Sequence, residues 1–575
     1  MSKKKKRRIS GKGFFKPYKN PVFIALLLLT LFSGGFQIYA CTAVSSFFLI
    51  YLAVISSKNS GLKIYFSLAS ITVAVFALSY LITSFWAVNG FGAVMGFFKF
   101  LPVLLFTLIL FQKSDEEKRG IFMYVPFSGV ILTVITAPLY FLSLLKDRFY
   151  EYGRLHGGFG YANAFALFLL AGIVILFYRS DIFPKKWQPY VLTILLSGGI
   201  FLSGSRTVFV LLALTLAYFS VKIKNVRKYV LPAFIIFIGA AAAYALITDN
   251  TENISRFLTS FTKTDTIRIR PVYWKDALPV IFKHPFGTGY EGYSYMQLSF
   301  QSASYSNTYL HNDYLQILFD IGFIPAALFI ATVLFSFFSK RTGGMEKTLI
   351  FIICAHLFFD FDLQFLSVFL ILILCFDYGN KNKTVLKKKT VQNAVSAFCV
   401  LLSSVNIWFF MAAWSEYRGN YETALKLNPA LTYSQIMVLR ETTSKEKAKE
   451  TAEHILSQNG YVTVAYDALS LLAASEKDFS SAVQYSRKAI STAKYIIEEY
   501  ENYFSILQKA YVYCGETGDT KNTERYRNLI LEIPDMIDDA KATLNPKAYE
   551  IGSAEPDLEL SADTLSYIFN LRQAS

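Results

Sequence analysis

The feature that most constrains this chain is a series of long apolar runs separated by short polar loops. Runs of roughly 17–25 apolar residues are long enough to cross the hydrocarbon core of a bilayer as helices. The composition agrees, because only 17% of the 575 residues are charged, against about 25% in an average soluble protein. We therefore predict an all-α, polytopic membrane protein.

The pattern predicts about thirteen membrane spans of this kind. Together they form a predicted membrane domain at 21–414, which follows a basic N-terminal segment at 1–20. The predicted spans are 21–38, 41–56, 64–86, 93–111, 121–145, 162–178, 189–203, 207–221, 229–247, 312–338, 347–359, 364–377 and 393–413.

Lysine and arginine in alternate loops predict the orientation of these spans. Loops such as "SSKNSGLK", "VKIKNVRK" and "GNKNKTVLKKK" carry several basic residues, whereas "AVNGFG" and "SGGFQ" carry none. The basic loops predict a cytoplasmic N-terminus and an extracytoplasmic C-terminal region. The net charge of +16 lies largely in such loops, so it does not indicate a nucleic-acid partner.

Two segments outside the spans differ from ordinary loops. The segment 248–310 is the only large insertion between spans, and long loops in compact domains are often functional. The segment 415–545 is polar and helical in pattern, and "RGNYETALKLNPA" resembles part of a tetratricopeptide repeat. Asp478 and Asp519 repeat at a spacing longer than the usual roughly 34 residues. We predict a degenerate helical-repeat domain, with a plain bundle as the alternative, and a loose tail at 546–575.

The stretch "TYLHNDYLQILFDIGF" places polar residues at the start of an apolar run. Helical spacing puts Asp313, Gln316 and Asp320 on one face, and such a stripe should face the bundle interior or a wet cavity. Asn312 or Asp313 can also cap the helix by accepting from free amides. His311 is the better candidate base, because histidine titrates near neutral pH.

Two further charged features stand out near the predicted outer face. Arg206 lies between two apolar runs with almost no loop, so it either snorkels at a helix end or contacts an anion. Asp360 and Asp362, in "DFD", resemble the metal-binding motif of nucleotide-sugar enzymes. Because nucleotide sugars are absent outside the cytoplasm, polar contacts within the bundle are the favoured interpretation.

Five motifs occur in an order that resembles the O-antigen ligase and polymerase superfamily. They are "RLHGGFGYANAFALFL", "LSGSRTVFVLLAL", "RPVYWKDALPVIFKHPFGTGY", "HNDYLQILFDIGFIPAAL" and "HLFFDFDLQF". The resemblance spans about 21–415, and some members also carry a tetratricopeptide tail. Two positions depart from the family pattern: Ala162 stands where Pro usually precedes Asn163, and Asp320 stands where Glu is commoner.

The resemblance implies a GT-C-like glycosyltransferase that needs no metal or cofactor. It would transfer a glycan from an undecaprenyl-diphosphate-linked donor at the outer face of the bacterial cytoplasmic membrane, in surface polysaccharide biosynthesis. The acceptor would be a glycan, a lipid or a protein, and the C-terminal repeats would offer a surface for a protein partner. The implied catalytic residues are His311, Arg206 and Arg270. The implied substrate-binding residues are Arg154, Asn163, Arg268, Asn312 and Asp313.

Two other classes of function compete with this prediction. A polysaccharide transporter or lipid flippase would need a pathway across the bilayer and often has repeated halves, whereas the polar residues here gather at one predicted face. A non-enzymatic scaffold acting through the C-terminal region would make Arg206 and His311 dispensable. Within the leading class, the sequence leaves polymerase and ligase both open.

Overall fold

A computed structural model describes residues 20–58, 61–223, 226–232, 235, 239, 268–379, 383–550 and 556–573. The described residues are 76% helical and contain only short strands, which confirms the all-α class. Among the described residues, four helical segments are long and apolar enough to cross a membrane by length and composition: Ile38–Lys58, Gly90–Gln112, Lys389–Tyr417 and Asp115–Phe141. The last of these comprises two α-helices joined by a turn, with 3₁₀ residues at its end.

Most predicted spans coincide with a helix. The other α-helices that the structure describes before the C-terminal region are Pro21–Leu31, Leu68–Thr83, Ser143–Lys146, Ala162–Tyr178, Gln188–Ser203, Arg206–Lys222, Arg270–Lys283, Gly292–Phe300, Asp313–Ile321, Phe323–Phe338, Gly344–Leu357 and Leu366–Cys375, with a π-helix at Val226–Val230. Most of the predicted span 229–247, and the first part of the loop 248–310, lie outside the described residues.

The helix Ala162–Tyr178 forms the centre of the membrane bundle. It is apolar on every side, and a helix of this kind is stable when it is surrounded by other helices. From Ala164 to Phe177 every side chain is buried. The helices Tyr124–Thr136 and Gln188–Ser203 pack beside it, and its first turn holds Asn163 at one end of the bundle.

The predicted single span 312–338 is wrong in one respect, because the chain breaks at Gly322. One helix ends at Ile321 and the next begins at Phe323. Gly322 has φ +84°, and a Cβ atom there would lie 2.4 Å from the carbonyl oxygen of Pro285. Only glycine permits both this backbone conformation and this close approach. The short first helix keeps Asp313, Gln316 and Asp320 buried on one face.

Loops predicted for the same side of the membrane contact each other. Two basic loops form an antiparallel ribbon, in which Leu62–Tyr65 pairs with Lys383–Leu386. At the other end of the bundle, Val88 donates its amide to Thr288 (2.9 Å). A second ribbon pairs Tyr150–Glu151 with Arg154–Leu155. The two sets of loops are therefore segregated to opposite ends of the helices.

The C-terminal region is a succession of helices that pack against their neighbours in the chain. Asp478 and Asp519 each cap a helix by accepting an amide hydrogen bond of 3.1 Å, which explains their similar settings without establishing a tetratricopeptide repeat. The helices are Tyr421–Leu427, Thr432–Glu441, Lys445–Gln458, Thr463–Ser475, Phe479–Thr492, Ile497–Glu516, Thr520–Ala542, Pro546–Glu550 and Ala562–Gln573.

Within 546–575, where the sequence predicts a loose tail, the described residues 556–573 include a helix that packs against the other C-terminal helices. Ile568 and Leu571 are buried in the core of the C-terminal helices. Glu501 accepts a hydrogen bond of 2.6 Å from the Thr564 hydroxyl. The C-terminal helices also contact the membrane part directly, since Asn89 donates to Thr432 Oγ1 (3.1 Å).

Candidate functional site

Asp360 is the centre of a polar cluster at the end of the bundle where the C-terminal helices pack. It lies in the turn between the helices Gly344–Leu357 and Leu366–Cys375 and is only 1% exposed. Its carboxylate accepts hydrogen bonds of 2.7 Å from the Tyr161 hydroxyl and from Asn163 Nδ2. A buried carboxylate is stable only when it is paired and hydrogen-bonded, so these groups hold Asp360 in place.

His311 contacts the same carboxylate. Its Nδ1 lies 3.2 Å from Asp360 Oδ1, and its backbone has φ +50°, an uncommon conformation for a residue other than glycine. Neighbouring groups fix this conformation. Leu310 donates its amide to Gln316 (3.0 Å) and accepts from Trp274 Nε1 (2.9 Å). The chain therefore turns sharply at His311 and presents the imidazole to Asp360.

Arg270 brings positive charge to the cluster from another helix. It is the first residue of Arg270–Lys283, and its guanidinium donates to the carbonyl of Phe359. Its Nη2 lies 3.8 Å from Asp360 Oδ2. Because residues four apart share a helix face, the same helix places Trp274 beside Leu310. One helix thus positions both the arginine and the backbone before His311.

Arg154 links the cluster to the turn before Arg206. Its Nη2 donates to Asn163 Oδ1, and its Nε donates to the carbonyl of Ser203 (2.8 Å). Ser203 ends one helix, Gly204 has φ +59°, and Arg206 begins the next helix. The half-buried Arg206 therefore lies three residues after Ser203, whose carbonyl accepts the hydrogen bond from Arg154.

The charge of Asp360 follows from its surroundings. Burial alone would raise the pKa of this carboxyl, but the hydrogen bond to His311 and the charge of Arg270 lower that pKa below its usual value. Asp360 is therefore ionised at neutral pH and can only accept hydrogen bonds. His311 Nδ1 must then carry the hydrogen of that bond, which leaves Nε2 with a free lone pair when the imidazole is neutral.

The second carboxylate of "DFD" belongs to a separate buried pair. Asp362 Oδ2 lies 2.5 Å from His356 Nδ1. Asp313 Oδ2, on the neighbouring helix, accepts the amide of Leu363 (2.9 Å). Within the described ranges, no group of three or more His, Cys, Asp or Glu side chains is arranged to hold a metal ion. Both carboxylates of "DFD" make polar contacts within the bundle.

The structure thus brings His311, Arg270, Asn163 and Arg154 together, but not every predicted site residue. Asn312 caps the helix Asp313–Ile321 by accepting from the Leu315 amide (3.1 Å). Asp313 holds the turn behind Asp360, and Arg268 is exposed next to the part of the chain that is not described. The structure gives Asn312 and Asp313 scaffold contacts, and it does not place Arg268 in the cluster.

The glycine-rich "PFGTGY" segment packs against protein. The amides of Thr288 and Gly289 donate to the carbonyls of Phe319 and Asp320 (2.8 and 2.9 Å). These carbonyls belong to the last turn of Asp313–Ile321, where they lack partners within the helix. The segment therefore caps the helix that follows His311.

Replacing Gly287 by Ala is expected to destabilise the protein by roughly 1–3 kcal/mol. Gly287 has φ +84°, and a Cβ atom would lie 2.3 Å from the Asp320 carbonyl oxygen. Thermal unfolding of the purified protein in detergent would measure the loss. Gly515→Ala is the matched control, because its Cβ would meet nothing within 4 Å and alanine favours a helix. An equal melting temperature for Gly287→Ala and the wild type would contradict the prediction.

With the geometry described, the comparison with known families becomes informative. Residues 191–330 match the family described as O-Antigen ligase. This segment of the chain is similar to an O-antigen ligase domain. The match confirms the predicted resemblance and supports a glycosyltransferase-like role in surface polysaccharide biosynthesis. The ligase match includes Arg206, Arg270 and His311, whereas Asp360 lies beyond it. No curated protein and no solved structure matches the chain.

Proposed function

We propose that this protein transfers a glycan from an undecaprenyl-diphosphate-linked donor to an acceptor hydroxyl at the outer face of the cytoplasmic membrane. The observation that carries the proposal is the convergence of His311 and Arg270 on the buried Asp360. It combines a candidate base with positive charge at one end of a membrane bundle. Transfer from a lipid-linked diphosphate needs a base for the acceptor hydroxyl and positive charge for the diphosphate, both at the depth of the lipid headgroups.

His311 acts as the general base in this proposal. Asp360 accepts the Nδ1 hydrogen, so Nε2 is free to take the proton of the acceptor hydroxyl. The acceptor oxygen then attacks the anomeric carbon of the donor sugar. The bond from this carbon to the diphosphate oxygen breaks, and undecaprenyl diphosphate leaves with the electron pair. A single displacement of this kind inverts the anomeric configuration.

Arg270 and Arg206 are the proposed diphosphate contacts. Negative charge grows on the leaving diphosphate as the bond breaks, and prearranged positive groups stabilise such a transition state strongly. Arginine suits this role because its planar guanidinium matches phosphate oxygens and stays charged. We infer that these arginines supply the charge that a metal ion provides in other glycosyl transfers. Arg154 and Asn163 would connect the turn before Arg206 to Asp360, the partner of the base.

The acceptor decides whether the enzyme is a polymerase or a ligase. We expect cells that lack this protein to accumulate lipid-linked glycan. Single repeat units would identify a polymerase, and long lipid-linked chains would identify a ligase. Sizing the extracted lipid-linked glycans by electrophoresis would distinguish them.

The control for this deletion is re-expression of matched variants. Wild-type protein should restore normal glycan lengths, whereas Arg270→Ala should not. Lipid-linked units that stay trapped inside the cell, with normal transfer outside it, would overturn the proposal in favour of a flippase.

A further inference from the structure

A cavity of about 490 Å³ lies between the membrane helices and the first C-terminal helices. The membrane part contributes Lys99, Tyr290 and Tyr309 to its wall, and the C-terminal helices contribute Tyr421 and Tyr433. The cavity is separate from the Asp360 cluster, whose hydrogen-bonding groups do not line it. Its wall is therefore completed only when the C-terminal helices are in place.

Lys99 gives this cavity a buried positive charge. It is 2% exposed, and its Nζ donates to the Tyr290 hydroxyl (3.0 Å). The same Nζ lies 4.6 Å from the ring centre of Phe36 and 5.9 Å from that of Tyr309. An ammonium group has three hydrogens to donate. Among the described residues only Tyr290 accepts one, so the others can serve a bound molecule.

Glu291 adds a hydrogen-bond acceptor to the same wall. Its backbone is held at φ +65°, and its carboxylate has no hydrogen bond or ion pair within the described part of the chain. Burial, and then the nearby Glu416, raise the pKa of Glu291 to about 7. Near neutral pH this carboxyl can therefore both donate and accept hydrogen bonds. Asn89, which lines the cavity as well, is already engaged with Thr432.

Two aromatic ring contacts, one stacked and one edge-on, connect the cavity to His311. Tyr309 lines the cavity and stacks on Phe361, with ring centres 4.7 Å apart and an interplanar angle of 23°. Phe361 in turn lies 5.0 Å from the His311 ring. Tyr309 is also only two residues before His311 in the chain. A molecule in the cavity would thus lie next to the proposed base.

We propose that this cavity binds the acceptor glycan and that the C-terminal helices form part of that binding site. The proposal rests on the proposed transfer function and names its acceptor subsite. Sugar rings present C–H faces that pack on aromatic side chains, and hydroxyl groups that need both donors and acceptors. Tyrosine rings, a buried ammonium and an unpaired carboxylate supply this combination. Binding sites usually have this mixture of apolar surface and a few placed polar groups.

Equilibrium binding without the donor tests the proposal, because it needs no catalysis. The probe is a fluorescently labelled oligosaccharide fraction, made by partial hydrolysis of the surface polysaccharide of the producing cells. The purified full chain, in lipid nanodiscs, should bind this probe. Lys99→Met and Tyr433→Ala should each weaken binding about tenfold, which corresponds to about 1.4 kcal/mol.

Matched variants make the outcomes distinct. Tyr433 is 53% exposed, so its replacement should preserve folding even if Lys99→Met does not. Tyr466→Ala, a half-exposed tyrosine of the C-terminal helices outside the cavity wall, should bind like the wild type. The proposal is overturned if the wild type binds no probe at millimolar concentration or if Tyr433→Ala binds unchanged. His311→Ala should keep full probe binding, so loss of the transfer function and loss of the acceptor site are separable.

Discussion

Replacement of His311 by Ala is expected to lower the rate of glycan transfer by roughly 10²–10⁴-fold, the usual contribution of a general base. The imidazole is the proposed proton acceptor through Nε2, because Asp360 lies on its Nδ1 side. Without this base the acceptor hydroxyl must lose its proton to water during attack on the donor sugar. Binding of the donor should change little, because the proposed diphosphate contacts are the arginines.

This prediction is measured with purified protein in lipid vesicles that contain the lipid-linked donor. Transfer is followed by the growth of labelled acceptor, and donor binding is measured separately. His454→Ala is the matched control, since His454 is exposed on a C-terminal helix and its ring contacts Gln458 (2.7 Å). Full transfer by His311→Ala would show that the base assignment is wrong.

The positions of the membrane helices could be predicted because span length and hydropathy are local properties of the sequence. The break at Gly322 could not. The run from Asp313 to Phe338 is continuously helical in pattern, and a glycine alone does not reveal a sharp bend. The bend depends on Pro285, which is distant in sequence and whose carbonyl accepts the Phe323 amide (3.0 Å).

The candidate site, like the membrane helices, could be predicted only in part from the sequence. The motifs that carry the family resemblance contain His311, Arg270, Asn163 and Arg154, and the structure brings these four together. The sequence does not predict the role of Asp360, in "DFD", as the shared partner of His311, Arg270 and Asn163. Its partners come from three other segments of the chain, and only tertiary packing shows that they meet. A charged residue in an apolar region was the signal available.

Asp360→Asn is expected to impair both stability and transfer. The substitution leaves Arg270, which is 8% exposed, without its buried counter-charge. It also places an amide NH₂ group next to Tyr161 and Asn163, which donate hydrogen bonds to the carboxylate in the wild type. Breaking a buried ion pair on one side typically costs about 3–5 kcal/mol. Transfer should fall at least as far as in His311→Ala, because an asparagine does not hold the imidazole in one tautomer.

Asp362→Asn separates a catalytic effect of Asp360 from a merely structural one. Asp362 lies in the same turn and pairs with the buried His356, so its replacement should lower the melting temperature of the purified protein as well. It does not touch His311, however, so transfer per folded molecule should stay near the wild-type rate. If Asp360→Asn lost stability but kept transfer per folded molecule, Asp360 would hold the turn without orienting the base. If Asp360→Asn lost transfer while Asp362→Asn kept it, Asp360 would be the residue that positions His311. The comparison is direct because both variants disturb the same turn.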